Sequence, residues 1–396
     1  MKSFDLNKLI NHINKNELVT LLSDLIAIPG HINCSYQEEK ISSYVFSIFK
    51  NNGIKTTYQK VEPKRRNVIA VMSGKNNGKS LTLNGHLDTV PPNDKITNIK
   101  PLVKNGKVFG LGSADMKSGV AAMIYSMILL KRMDVQLDGD LYFTGVIGEE
   151  SGGTGTAFLM DNGFYSDYFI VGEPTEMKIV NSHKGCFQID VTIEGKASHA
   201  SIPQNGANAI EAMAEFIYLL KNEYIPEISL REQTNVGSPT LNFGVISGGK
   251  KINIVADRCL LKIDRRWVDS EKDIDLIAEI EPFLKQVCSK SIYFKYQIEP
   301  ALPKNRYFGP FYLPETDDFI QICINAFKNI GIKPEISGMP GWTDGATILN
   351  KGYPTLILGP GSINVAHTAE EHVDIEELMT AAKIYLSLIY EVCVNK

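Results

Sequence analysis

A histidine and an aspartate, His86 and Asp88, follow a short apolar run that begins at Leu81. The run has the composition of a buried strand, and two prolines soon end it. Strand side chains repeat with a period of two, so both residues are predicted to project to the same side. A histidine that binds a metal uses one ring nitrogen for the ion and donates its other N–H to a carboxylate or carbonyl. The pair therefore predicts a metal ligand, although a single histidine here is also compatible with an ordinary loop.

Further candidate ligands lie at the ends of other apolar runs. Asp115 precedes an apolar helix candidate, where a carboxylate could equally cap the helix. Glu149 and Glu150 follow a strand candidate, and adjacent carboxylates repel each other unless a cation or a raised pKa relieves them. Glu173 and His367 follow two more apolar runs. The sequence thus predicts several acidic groups and two histidines at element ends.

The scaffold that must gather these residues is predicted to be an α/β fold. Strand and helix candidates alternate through 55–171, which predicts a mostly parallel sheet covered by helices on both faces. Residues 186–194 instead alternate as an amphipathic strand. The order strand, helix, strand, strand, helix, strand follows, which predicts an inserted α+β open sandwich. We expect a catalytic domain in two parts, 1–184 and 297–396, with the insertion at 185–296.

In an open α/β sheet, ligands bind beyond the carboxyl ends of the strands. We therefore expect the candidate ligands to meet at one edge of the sheet. Histidines together with carboxylates suit zinc, cobalt or manganese, whereas calcium would want no histidine. Five ligands are too many for one open catalytic site but suit two divalent metals that share a carboxylate. Two such metals can activate one water molecule between them.

Composition excludes several other classes of protein. The net charge is −4, from 41 basic and 45 acidic residues, so we expect no nucleic-acid partner. No run approaches the ~18 apolar residues of a membrane span, and the first residues lack the apolar core of a signal peptide. The six cysteines form no CxxC pair, which argues against a thiolate zinc site. We expect a cytoplasmic protein with no membrane partner.

The blocks around the candidate ligands resemble, in order and over nearly the whole chain, the co-catalytic zinc aminoacylase/carboxypeptidase family. This family includes acetylornithine deacetylase, succinyl-diaminopimelate desuccinylase and glutamate carboxypeptidase. The resemblance implies two divalent metals per subunit, with zinc as the first expectation. It also implies that the inserted domain is a lid that forms a homodimer. The segments Gly172–Thr175, His183–Gly185 and Gly359–Ile363 are most similar to acetylornithine deacetylase.

The resemblance also implies roles for individual residues. Asp115 would bridge the metals and be followed by a cis peptide. The resemblance places His86 and Glu173 on one metal, and Glu150 and His367 on the other. Asp88 would orient His86, and Glu149 would act as general base on the metal-activated water.

The inserted domain contributes further expected site residues. By resemblance, His199 would reach a partner subunit's active site and steady the oxyanion, which requires correct positioning. Asn253 lies in a loop that resembles the family's substrate-contacting asparagine loop. Arg266 would hold a substrate carboxylate, with an ion pair to Asp264 as the alternative. Lys184 is a further candidate for substrate contact.

The expected function is therefore the removal of an N-acyl group from an acylated amino acid, first of all N-acetylornithine. A succinyl-diaminopimelate desuccinylase, another deacylase or a small peptidase is the alternative within the family. Trp342 and Ala346 depart from the desuccinylase pattern, which has threonine and arginine there. Two non-catalytic alternatives are a family member that only binds its ligand and a fold supported by one structural metal.

Overall fold

The computed structural model describes residues 5–75, 77–94, 96, 99–303 and 306–394. The chain forms two compact units. Unit 1 comprises Met1–Asn181, Leu313–Ser337 and Thr343–Lys396, and unit 2 comprises Ser182–Tyr312 and Gly338–Trp342. Unit 2 is longer than the expected insertion at 185–296. The last strand of its four-stranded sheet runs to Pro300. Residues 311–312 pair with residues 182–183, so the segments on both sides of the expected insertion belong to unit 2.

One large sheet that is parallel at its centre lies mostly in unit 1, and its last strand, residues 311–312, belongs to unit 2. Its strand order is β1-β2-β6-β3-β7-β15-β8-β13, with β14 pairing to β8. Strands β6, β3, β7 and β15 are parallel neighbours, and the strands on either side of them are antiparallel. The strands of this sheet are β1 (Lys55–Lys60), β2 (Arg66–Met72), β3 (Leu81–His86), β6 (Leu141–Val146), β7 (Tyr168–Val171), β8 (Ile179–His183), β13 (Phe311–Tyr312), β14 (Ile336–Met339) and β15 (Thr355–Ile357).

A second, three-stranded antiparallel sheet in unit 1 has the order β16-β5-β4. Its strands are β4 (Leu102–Lys104), β5 (Lys107–Phe109) and β16 (His372–Asp374). The short strand β16 follows the loop that carries His367, so this small sheet fixes the end of that loop.

Helices of unit 1 cover the large sheet in two groups. One group packs around α4 and α11, and the other packs on β1, β2, β7 and β15. The first group comprises α1 (Leu6–Asn11), α2 (Lys15–Ala27), α4 (Lys117–Arg132), α9 (Asp318–Asn329) and α11 (Ile375–Cys393). The second group comprises α3 (Glu39–Asn51), α5 (Thr154–Asp161) and α10 (Asp344–Asn350). The prediction of a mostly parallel sheet with helices on both faces is thus confirmed.

The central helix α4 is buried along most of its length. Every residue from Lys117 to Leu130 is buried, because α4 packs against β3, α2 and α11. A helix that is apolar all round needs such surroundings. Gly119 has no side chain where the helix approaches Gly172, the residue after β7. Helix α4 therefore holds the loop before it, which ends in Asp115, in a fixed position.

Unit 2 is an open sandwich with two long helices on one face of an antiparallel sheet. The sheet order is β10-β11-β9-β12. Its elements are β9 (Gly185–Glu194), α6 (Ala209–Leu219), α7 (Ile225–Ile228), β10 (Thr240–Gly248), β11 (Arg258–Trp267), α8 (Leu276–Cys288) and β12 (Lys295–Pro300). Ile189, Val191 and Ile193 of β9 are buried under the helices, as the alternating pattern predicted. The predicted open sandwich is confirmed.

Among the described residues, no helix is both long enough and apolar enough to span a membrane.

Candidate metal centre

The carboxyl ends of the four parallel strands carry most of the predicted ligands. His86 is the last residue of β3, and Glu149 and Glu150 follow β6. Glu173 follows β7, and His367 follows β15 after a longer loop. The register aligns these ends, since His86 pairs with Val146. The structure therefore brings the predicted ligands to one edge of the sheet, where α/β folds bind ligands.

Asp115 lies between the two histidines. Its Oδ1 is 3.0 Å from His86 Nε2, and its Oδ2 is 3.3 Å from His367 Nε2. The peptide bond from Asp115 to Met116 is cis, as the resemblance implied. Met116 is the N-cap residue of α4, so Asp115 lies one position before the cap, and no side-chain cap of that helix is formed. The two oxygens of one carboxylate thus face two different histidines, which is the arrangement of a bridging ligand.

Glu150 and Glu173 complete the two halves of the cluster. Glu150 Oε1 is 3.0 Å from His367 Nε2, and Glu173 Oε1 is 3.7 Å from His86 Nε2. One donor atom each from His86, Asp115 and Glu150 lies within 4.8 Å of the others. Glu173 is buried, yet its Oε1 has no hydrogen-bond partner among the described residues. A buried carboxylate oxygen without a donor fits a cation ligand, so the donor set suits a divalent metal.

Burial and the charges within the cluster shift the pKa values of its members. Hydrogen bonds with Asp115 and Glu150 raise the pKa of His367 to about 10. Burial disfavours the charged form of His86, but the surrounding carboxylates raise its pKa well above the usual value. Burial and the charge of Asp115 raise the pKa of Glu173 to about 8. Metals compete with protons for such groups, so metal binding here would release protons.

His367 has an unusual backbone conformation. Its φ is +60°, in the left-handed region that side chains other than glycine seldom adopt. Such strain costs on the order of 1–3 kcal/mol and is concentrated at functional sites. The side chain is 43% exposed, which makes it the most accessible of the five predicted ligands.

Asp88 holds the turn that carries Glu149 and Glu150. Its Oδ1 accepts the main-chain N–H of Glu149 at 3.2 Å, and its Oδ2 accepts that of Glu150 at 3.1 Å. The predicted task of orienting His86 belongs geometrically to the main-chain carbonyl of Asp88, which lies 3.0 Å from His86 Nδ1. The Asp88 carboxylate is farther away, at 3.6 Å, which is beyond a hydrogen bond. Asp88 therefore positions the main chain of Glu149 and Glu150 through its carboxylate, and it positions His86 through its main-chain carbonyl.

Glu149 interacts electrostatically with the charged groups of the cluster. Burial, followed by the charge of Glu173, raises the pKa of Glu149 well above its usual value. Since Glu149 and Glu150 are consecutive, their side chains cannot occupy the same position. With Glu150 against His367, Glu149 is left for a different role.

Two buried charged residues near the centre were missed by the sequence analysis. Lys117 donates to the main-chain oxygen of Ile28 at 3.0 Å, and its positive charge interacts with Asp88 and Glu371. Glu371 accepts main-chain N–H groups of the Asp115 loop. Neither has a local sequence signal beyond its nearness to Asp115 or His367, because both act through distant main-chain atoms.

Close backbone packing fixes the segment before Glu173. A Cβ atom on Gly119 would lie 2.2 Å from the Gly172 carbonyl oxygen, and one on Gly359 would lie 2.3 Å from the same atom. Only glycine allows this approach. The first turn of α4, the end of β7 and the loop after β15 are therefore locked together around the centre.

Unit 2 places His199 beside Asn253. Ile254 forms a bridge with His199, and the Asn253 carbonyl accepts the Ala200 N–H at 3.1 Å. The Ser201 main-chain N–H lies 3.2 Å from His199 Nδ1, so Nδ1 is an acceptor and the ring proton is on Nε2. The exposed imidazole therefore presents an N–H donor.

Arg266 and Lys184, the other predicted substrate contacts, already have partners within unit 2. Arg266 Nε donates to Asp264 Oδ1 at 2.7 Å, which is the ion pair considered as the alternative. Lys184 Nζ donates to the Ser238 carbonyl at 2.5 Å. Burial and the charges of Arg265 and Arg266 lower the pKa of Lys184. The roles of both residues toward a substrate remain predictions.

Comparison with known proteins identifies the family. Residues 82–391 match the model of peptidase family M20/M25/M40, and the chain belongs to this family. This family consists of amidohydrolases and peptidases, and membership supports the prediction that the chain is a metal-dependent amidohydrolase. The family resemblance drawn from the motifs is confirmed.

Named relatives have different substrates. An N-formyl-4-amino-5-aminomethyl-2-methylpyrimidine deformylase of Halalkalibacterium halodurans is 28% identical over 98% of this chain and 97% of its own length. An acetylornithine deacetylase of Buchnera aphidicola subsp. Schizaphis graminum is 31% identical over 79% of this chain and 81% of its own. The predicted nearness to acetylornithine deacetylase is therefore not confirmed.

Solved structures share the architecture. A tripeptidase from Staphylococcus aureus superposes with a TM-score of 0.82 at 26% identity, covering 95% of this chain and 98% of its own. A Bacillus subtilis protein described as a dinuclear metal-binding peptidase of the M20 family superposes with a TM-score of 0.70, covering 95% of this chain and 97% of its own. At 15% identity the second likeness concerns the fold alone.

Proposed function

We propose that the protein is a dimetal amidohydrolase that removes an N-acyl group from an acylated amino acid, with N-acetylornithine as the first substrate to test. The observation that carries this proposal is the position of Asp115, whose two carboxylate oxygens face His86 and His367 at 3.0 and 3.3 Å. A single structural metal would not need one carboxylate to serve two histidines on opposite sides.

The ligands divide naturally between two metals. His86 and Glu173 would hold one, Glu150 and His367 the other, and Asp115 would serve both. When bound, the metals would polarise the amide carbonyl and make a water molecule a stronger nucleophile. Zinc is the proposed ion, although cobalt and manganese accept the same donors.

Glu149 is the proposed general base. The Asp88 carboxylate fixes its main chain, and Glu150 occupies the position against His367, so the Glu149 side chain is free to accept a proton from water. It would pass that proton to the nitrogen of the departing amine, because the amine leaves only after it is protonated. The same residue then serves as base and acid in one turnover.

Replacing Glu149 by glutamine tests this assignment. The variant keeps its shape but cannot accept the proton, so kcat should fall by ~10²–10⁴-fold. Metal content, measured by elemental analysis, should stay at two ions per subunit. Glu315→Gln, the same exchange at an exposed position of unit 1, serves as the control. Wild-type turnover by the Glu149 variant would place the base elsewhere, and turnover absent in every protein would favour a ligand-binding family member.

We propose that residues of unit 2 contact the substrate. His199 presents an N–H donor that suits an oxyanion, and Asn253 is its neighbour. Arg266 is the proposed carboxylate contact, in exchange for or beside Asp264, and Lys184 is a second cation near it. Oxyanion donors act on kcat more than on KM, so His199→Ala should lower mainly kcat, measured against metal-saturated wild type.

A small peptidase is the second candidate function, and the likeness to a solved tripeptidase over 95% of this chain favours it. A desuccinylase or deformylase activity is the alternative among the deacylases. Metal-reconstituted protein should be assayed on N-acetylornithine, N-succinyl-diaminopimelate, an N-formylated aminomethylpyrimidine and a tripeptide. Turnover of the tripeptide alone would replace the deacylase proposal with the peptidase.

We also propose a homodimer formed through unit 2. Strand β10 is an edge of the four-stranded sheet, and its Val245 and Ile246 are 51% and 54% exposed. An open apolar edge is a template for pairing with another strand. Val245→Lys should convert a dimer to a monomer in light scattering, whereas Leu230→Lys, also at an exposed apolar position, should not. A wild-type monomer would contradict this proposal.

We further propose that the protein is cytoplasmic. All six cysteines are free thiols in the structure. Free thiols suit a reducing compartment.

A further inference from the structure

Glu371 is tied to the loop that carries Asp115, although it is not one of the proposed ligands. Its Oε1 accepts the main-chain N–H groups of Ala114 at 3.0 Å and Asp115 at 3.1 Å. The other carboxylate oxygen, Oε2, is buried and has no hydrogen-bond partner among the described residues. Two consecutive main-chain N–H groups of this loop thus converge on one side-chain oxygen.

The main chain of Glu371 holds the same loop a second time. The Gly110 N–H donates to the Glu371 carbonyl oxygen at 3.2 Å, where β16 and β5 begin to pair. The loop's own hydrogen bonds are fewer: Ser113 N–H to the Gly110 oxygen and Lys117 N–H to the Gly112 oxygen. The position of the segment from Gly110 to Asp115 therefore depends on hydrogen bonds to Glu371 at least as much as on hydrogen bonds within the segment.

Glu371 also lies four residues after His367. It is 2% exposed, and the chain between the two residues is short and turned, with the Glu371 N–H donating to Thr368. One carboxylate therefore links the loop of His367 to the loop of Asp115. These are the two residues that face each other across 3.3 Å in the centre.

We propose that Glu371 is a positioning residue that sets the spacing between Asp115 and His367 and thereby the affinity of the metal pair. This inference rests on the proposed function, because it assigns a task toward the proposed metals. Glu371 is not in the cluster of candidate ligands formed by His86, Asp115 and Glu150. Partners of metal ligands commonly contribute 10–100-fold in metal affinity by fixing ligand orientation.

The test compares two variants that differ in hydrogen-bond acceptance at nearly constant size. Glu371→Gln keeps a carbonyl oxygen for the loop amides, whereas Glu371→Met keeps the volume without an acceptor. Each is stripped of metal and titrated with zinc against a chromophoric chelator, and then with cobalt, whose absorption spectrum reports ligand geometry. Glu370→Gln, the neighbouring exposed glutamate, is the matched control.

The expected result is a loss of ~10–100-fold in zinc affinity and an altered cobalt spectrum for Glu371→Met. Glu371→Gln should stay within about threefold of wild type, because its oxygen still accepts the N–H bonds. A folded Glu371→Met protein with wild-type affinity and spectrum would overturn the inference. A wild-type protein that binds no metal would instead overturn the proposed function, so the two failures are distinguishable.

A measurement on the wild type covers the case in which Glu371→Met does not fold. If Glu371 positions the loop, the amides of Ala114 and Asp115 should be protected from hydrogen exchange in metal-free protein, well beyond the rate of an open loop. Free exchange of these amides before metal is added would overturn the inference, because the loop would then be ordered by the metals and not by Glu371.

Discussion

Replacement of Asp88 by asparagine tests the contact that aims the turn of Glu149 and Glu150. Asp88 is buried, and each of its carboxylate oxygens accepts one main-chain N–H, at 3.2 and 3.1 Å. Asparagine offers only one oxygen and turns an NH₂ group toward the other amide. One hydrogen bond is lost, and two donors then face each other in a buried place.

The structure gives the size of this effect. A hydrogen bond to a charged group contributes ~1.5–3 kcal/mol, and a buried donor left without a partner costs ~1–3 kcal/mol. These ranges partly count the same event, so we expect Asp88→Asn to lower the free energy of unfolding by ~2–4 kcal/mol. A displacement of ~1 Å in a catalytic group can cost ~10²-fold in rate, so kcat should fall by about that factor with KM little changed.

Urea unfolding and steady-state kinetics at saturating metal measure both effects, with Asp94→Asn at an exposed position as the control. If the main task of the Asp88 carboxylate were to orient His86, the variant would lose metal affinity, and excess metal would restore kcat. Wild-type stability together with wild-type kcat in Asp88→Asn would refute the reasoning.

Three further substitutions test other parts of the molecule. Hydrogen bonds from Lys79 and Ser80 outweigh burial and lower the pKa of Asp167 to about 2. Asp167 therefore stabilises the fold above the ordinary aspartate pKa of ~3.9, and this contribution is lost as pH falls through about 2. Asp167→Asn should cost about 1 kcal/mol near neutral pH after allowance for solvent screening, and a urea-unfolding difference that does not shrink toward acid would contradict this. Gly119→Ala should cost ~1–3 kcal/mol by overpacking against the Gly172 carbonyl and should also weaken zinc binding; an unchanged melting temperature would be the opposing result. In unit 2, Arg265→Met should cost ~3–5 kcal/mol in thermal unfolding, because it removes the closest partner of buried Glu271, and adding Glu271→Gln should recover part of the loss. No recovery in the double variant would argue against an ion-pair origin.

Elements with clear boundaries in the sequence were predicted well. The sequence predicts a strand at Tyr168–Val171 and a helix at Thr154–Asp161, and β7 and α5 have these bounds. The apolar residues of β7 are enclosed by Asp167 and Gly172, and those of α5 follow a glycine pair. The sequence also predicts a helix near Glu271–Ser289, but helix α8 begins at Leu276 and is capped by Asp275. Glu271 instead accepts hydrogen bonds from the Val268 N–H and from the Arg265 guanidinium. Hydrophobic periodicity does not reveal such contacts.

The candidate site was predictable where chemistry and position coincide in sequence. The five predicted ligands follow strand ends or begin a helix, and the fold gathers them. The contacts of Asp88 with the amides of Glu149 and Glu150 left no signal, because main-chain N–H groups are the same in every residue. The same reason hides Glu371, whose partners lie 256 and 257 residues away.

The parallel pairing of β7 with β15 has a consequence during synthesis. It joins Val171 to Ile357, and the whole of unit 2 is encoded between them. A ribosome that adds ~5–20 residues per second would need ~10–40 s to deliver the second strand after the first. For that time the apolar strand Tyr168–Val171 has an open edge, a template for wrong pairing. Binding of a nascent-chain chaperone to this strand, until residues 355–357 arrive, would prevent wrong pairing of the strand that leads to Glu173.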